Sequence, residues 1–165
     1  VNSLKKILGF SLATVFAISF LYVPAAFADA ATGKKIFNTK TATMKAPCKQ
    51  CHKPTGDPAK FKPVGPGLKG VGKRLGKEYL QKWLSPNNVE LWGDALGAKG
   101  KITISKVKDE NLKDLLARYK AAKKGKDMKK SQMVKNFAPG KGGKPPKITL
   151  TDEERNHVID YLMTL

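Results

Sequence analysis

The only two cysteines of the chain stand in "APCKQCHKP", residues 46–54, and a histidine follows the second of them directly. Two thiols and an imidazole at this spacing can do three kinds of chemistry: a redox dithiol, half of a zinc site, or the covalent anchoring of a haem. A redox Cys-x-x-Cys normally sits between a strand and a helix in a βαβ setting, and no such pattern surrounds Cys48 and Cys51. Tetrahedral zinc needs a fourth ligand beyond Cys48, Cys51 and one histidine. His157 is the only other histidine, and its place beside the apolar stripe of a terminal helix reads as solvated. The haem reading uses every residue. Cys-x-x-Cys on one helical turn spaces two sulfurs to add across two vinyl groups, and His52 is directed under the iron as proximal ligand.

The N-terminal residues say where such chemistry would take place. Lys5 and Lys6 precede an uncharged apolar run over residues 7–23, and "AAFADA" then offers small residues at A-x-A spacing. This is the pattern of a secretory signal peptide, residues 1–28, cleaved after Ala28 or alternatively after Ala30, with the mature domain at 29–165. An uncleaved run would instead anchor the chain in a membrane. The full chain carries 32 Lys+Arg against 13 Asp+Glu, a net charge of +19. So strong a positive field attracts anionic surfaces, either an acidic redox protein or an anionic membrane. Export to the periplasm argues against nucleic acid as the partner.

Helical elements must position the motif. "TGKKIF", residues 32–37, predicts the first turns of a helix capped by Thr32. Residues 54–74 hold five Gly and four Pro and predict a loop or linker with no regular element. "KEYLQKWLSPN" restores helical spacing, with Tyr79, Leu80, Trp83 and Leu84 on one face and Pro86 as the stop. From Asp109 a second amphipathic stretch places Leu112, Leu115, Leu116 and Tyr119 on one side and lysines on the other, which predicts a surface helix. "TLTDEERNHVIDYLMTL" opens with a capping box from Thr151 to Glu154 and aligns Val158, Tyr161, Leu162 and Leu165. No strand pattern and no internal repeat is visible; "KITIS" at 101–105 reads at most as a short extended segment.

The likeness to a known family extends beyond the attachment motif. "GKKIF", "GPGLKGVGKR", "SQMVKNF" and "VIDYL" together make the chain resemble a class I monohaem cytochrome c. The resemblance implies an all-α fold, about four helices around one haem c, with Gly33 and Phe37 packing against Val158 and Tyr161. It implies that Pro66 offers its carbonyl to the second ring nitrogen of His52, that Arg74 and Trp83 lie near a haem propionate, and that Phe137 packs on the haem edge. It implies Met133 as sixth ligand to the iron, with Met128 as rival. Met163 reads as core because a methionine in a helical stripe fills gaps, and Met44 precedes the attachment site.

Two departures from the family pattern stand out. Ten residues separate Phe37 from Cys48, so the first helix must break or bulge before the haem. An insertion at roughly 93–130 carries the lysine-rich helix, and either folds over the haem edge or projects into solvent. The implied function is a monomeric one-electron carrier and no enzyme. The alternatives are an anchored or docked relay subunit of a larger oxidoreductase and, less favoured, a peroxidase-like or ligand-binding haem protein with an open sixth site.

Overall fold

Asp29 opens the first helix, α1 (Ala30–Asn38), by accepting hydrogen bonds from the backbone N–H groups of Ala31 and Thr32. A carboxylate at this position satisfies two donors that the helix itself cannot, and those bonds hold its pKa below the ordinary value. The cap is therefore Asp29 rather than Thr32, whose hydroxyl donates to the Asp29 carboxylate. The computed structural model describes residues 29–61, 64–138 and 144–165. The basic and apolar N-terminal run, with the expected cleavage after Ala28, lies outside them.

Six more helices follow: α2 (Val71–Leu75), α3 (Lys77–Trp83), α4 (Asn88–Trp92), α5 (Glu110–Ala122), α6 (Gln132–Phe137) and α7 (Asp152–Met163). The described chain is all-α, with isolated β-bridges and no strand. The described residues hold seven α-helices where about four were expected, in part because a glycine divides α2 from α3. Gly76, at φ +75°, ends α2 and starts α3 where any other residue would be strained. Helix α2 also occupies the end of the Gly- and Pro-rich stretch expected to be irregular, directly after the left-handed Gly70.

The terminal helices cross and carry the main core. At the crossing Gly33 lies against the His157 carbonyl, and an added Cβ would overlap that group. Phe37 meets Tyr161 edge to face at 5.5 Å, a contact that adds about 1 kcal/mol beyond its burial. The capping box of Thr151 and Glu154 fixes the start of α7. Two expectations for α7 fail. His157 is not solvated: its side chain is 15% exposed and its Nδ1 accepts the Asp29 N–H at 2.6 Å. Met163 is not core, being 42% exposed; Ile159 at 0% fills that role.

Helix α1 does break before the cysteines. It ends at Asn38, and the residues that follow pair with the segment leading into α7. Met44 bridges Ile148, Lys45 N–H donates to the Lys147 carbonyl at 2.9 Å, and Thr149 N–H donates to Thr43 at 3.1 Å. Met44 is buried in the main core.

The lysine-rich insertion does not project into solvent. Trp92, Ala95, Ile102, Val107, Leu112 and Leu116 form a second core with Val134 of α6. Its extended segment is held by the bridges Leu96–Ile102 and Lys101–Lys130. Helix α5 is tied at its start by Asp109, whose carboxylate caps it through Leu112 N–H and also accepts from the Tyr79 hydroxyl at 2.8 Å. Further along, the Arg118 guanidinium donates to the Pro58 carbonyl at 2.9 Å and Tyr119 stands edge-on to Phe61 at 5.2 Å. The insertion thus spans from α3 to the loop after the cysteine motif.

Candidate cofactor site

Between the two cores lies a cavity of about 1030 Å³, partly open to solvent. Cys48, Cys51 and His52 enter it from the short turn Cys48–Gln50 and the two residues that follow it, where the N–H groups of Cys51 and His52 both donate to the Cys48 carbonyl at 3.1 Å. Burial, above all, pushes the Cys48 thiol up to about 11. At neutral pH it is therefore a thiol and not a thiolate.

A carbonyl oxygen can only accept, so the 2.9 Å contact between His52 Nδ1 and Pro66 O requires the proton on Nδ1. That leaves the Nε2 lone pair available to a metal. Burial lowers the pKa of His52, a trend the Pro66 bond only partly opposes, and so favours the neutral ligating form. Gly65 lies against the imidazole so closely that a Cβ there would collide with the ring. The segment is kept in register by Gly65 N–H donating to the Cys51 carbonyl at 2.8 Å and Leu68 N–H to the Lys53 carbonyl at 3.0 Å.

The residues expected at the haem line this one cavity. Pro66, Arg74, Trp83 and Phe137 line the cavity with the cysteines and His52, and so do both candidate methionines, Met133 and Met128. Met133 lies on α6, one turn before Phe137, and packs against the main core; Met128 lies in the loop before α6 and packs against the second core. Met44 and Met163 lie outside the cavity lining. Trp83 is stacked with Tyr79 at 6.4 Å and tilted against Trp92 at 6.3 Å. The Arg74 Nε is buried and finds no hydrogen-bond partner among the described residues.

A family model described as Cytochrome c matches residues 30–119, more than half of the chain. The chain belongs to the cytochrome c family. Neither curated proteins nor solved structures yield a match. The matched region of this cytochrome c runs from α1 through the Cys-x-x-Cys-His motif into α5, and stops before α6 and α7. Family membership makes haem c, covalently bound, the cofactor and haem-based electron transfer the activity class. The residues present fit that group: two cysteine sulfurs from one turn, an imidazole with one free nitrogen, an apolar chamber, and an unpartnered guanidinium nitrogen for an acid group.

Several contributors were not placed at the site from the sequence. Leu115 and Tyr119, expected on a surface helix, and Arg118 bring α5 into the cavity wall. Their helical spacing was legible, but an amphipathic stripe does not say which core it faces. Gly65 could have been found, because a residue beside the Pro66 that holds a ring must itself leave room for that ring.

Proposed function

We propose that this cytochrome c is a periplasmic one-electron carrier in which His52 and Met133 are the two axial ligands of the haem iron. The observation that carries the reading is the His52 Nδ1–Pro66 bond, which leaves Nε2 free in a cavity that both cysteines and Met133 also line. When bound, haem c supplies an iron that passes between ferric and ferrous states. Cys48 and Cys51 hold the group through thioethers, and Pro66 fixes the His52 ring and raises its basicity. Met133 is favoured over Met128 because Ser131 caps α6 through Val134 N–H, so the thioether sits on a fixed helix with Phe137 four residues on, on the same face. Arg74 and Trp83 serve the propionate edge, and the apolar wall excludes water.

An optical spectrum tests the ligation. The expected result is a low-spin reduced spectrum and, in the oxidised protein, the methionine-to-ferric-iron charge-transfer band. Met133→Ala should lose that band and Met128→Ala should keep it. A high-spin protein that binds carbon monoxide readily would sink the reading and favour an open-site haem protein.

We further propose an acidic redox protein as partner, since residues 29–165 carry 30 basic and 13 acidic side chains, a net +17. Reduction by such a partner should slow as salt screens the attraction. A salt-independent rate would remove the electrostatic docking.

A further inference from the structure

Two guanidinium groups from different parts of the chain face the same cavity. Arg74 belongs to α2, within the glycine-rich segment that follows the haem motif, and Arg118 belongs to α5 of the insertion. Like charges brought together at a partly buried surface are costly unless an anion lies with them. Arg118 is held in place by its own helix and by the loop opposite. Its Nε donates to Asp114 at 2.9 Å, its Nη2 lies 2.8 Å from the same carboxylate oxygen, and its Nη1 donates to the Pro58 carbonyl.

These contacts engage three of the five N–H groups of a guanidinium, so Arg118 retains donors while only 20% of its side chain is exposed. Arg74 is less satisfied. Its Nε is buried without a partner among the described residues, and its Nη1 reaches only the Lys69 carbonyl at 3.5 Å. Asp114 offsets one positive charge and leaves the pair cationic. A haem carries two propionate carboxylates, and the forked donors of arginine match a carboxylate in shape as well as charge.

We propose that Arg118, supplied by the insertion helix, is a second positioning residue for the haem propionates and shares that carboxylate edge with Arg74. The insertion then contributes to the electrostatics of the cofactor as well as to its cover. The pKa of Arg74 is lowered by burial first and by the nearby Arg118 charge second, with Asp114 opposing, as expected for two cations turned toward one place.

The inference rests on the haem-carrier reading, so the test separates the two. The optical spectrum reports the axial ligands, while the propionate bending mode in the resonance-Raman spectrum and the reduction potential report the carboxylate edge. Arg118→Gln removes a positive charge beside the cofactor, which should lower the reduction potential and shift the propionate mode toward weaker hydrogen bonding, with axial ligation unchanged. Arg118→Lys should restore most of the potential and little of the Raman position, because an ammonium keeps the charge but not the fork.

A stability loss with both potential and Raman mode unchanged would mean that Arg118 only latches α5 to Pro58, and would overturn the proposal. Should Arg118→Gln not fold, Arg118→Lys carries the same Raman test, and an unshifted mode there overturns it equally.

Discussion

The Cys48→Ala, Cys51→Ala double variant, freed of unbound haem by gel filtration, is expected to lose most of its helicity and all cooperative unfolding. The reason is the size of what the cysteines retain. A cavity of about 1030 Å³ lies between the two cores, and its walls are the inner faces of both. Without the haem, the apolar lining loses the packing and burial that the group would supply, and an ordinary domain has only ~5–15 kcal/mol of stability to lose.

Far-UV circular dichroism against temperature is the measurement. Native-like helicity with a sharp melt would show that the protein core suffices without its cofactor.

The second large effect is expected at Gly33. Gly33→Ala places a methyl group where the His157 carbonyl already stands, with the Tyr161 Cβ at 2.9 Å as the next neighbour. Backbone cannot rotate aside as a side chain does, so α1 and α7 must separate. Separation loosens the Phe37–Tyr161 contact and the Asp29–His157 bond together. The expected loss is about 3 kcal/mol or more, at the upper end for overpacking, read as a lowered urea midpoint of the haem-loaded protein. Because the cysteines and His52 lie elsewhere, the optical spectrum below the transition should be unchanged. A midpoint within error of wild type would mean that the helices do not meet at this closeness.

Elements with strong local signals were legible in the sequence. The capping box at Thr151 and Glu154 forms as expected because its two hydrogen bonds depend only on residues three apart. The attachment motif was legible for the same reason, since its chemistry needs three residues within one turn. What failed depended on distant neighbours. His157 looked solvated because the Asp29 N–H that it accepts lies 128 residues away. Met163 looked like core because a methionine in a helical stripe fills gaps, but it stands beside the buried stripe of Val158, Tyr161 and Leu162 and is 42% exposed. The insertion could be seen as a helix but not placed: Leu112 and Leu115 serve both the second core and the cavity wall, and only the folded arrangement assigns them.

Tyr79 belongs to the same class. Its hydroxyl pKa is raised by burial and by the Asp109 carboxylate that it bonds. That pairing ties α3 to the start of α5, and no local pattern announces it.

The pairing of residues 43–45 with 147–149, together with the crossing of α1 and α7, has a consequence for the order of events in making the protein. The first described helix finds its partner only in the last, and Val158 and Leu162 of that last helix also wall the cavity. A chain still emerging from the ribosome, with α7 not yet made, has neither a closed chamber nor a docked α1. Contacts of such long sequence separation close slowly, after local turns have formed. The cysteine turn is local and the chamber is not, so attachment chemistry can meet its thiols on an open chain, and the final helix then shuts the wall around the cofactor.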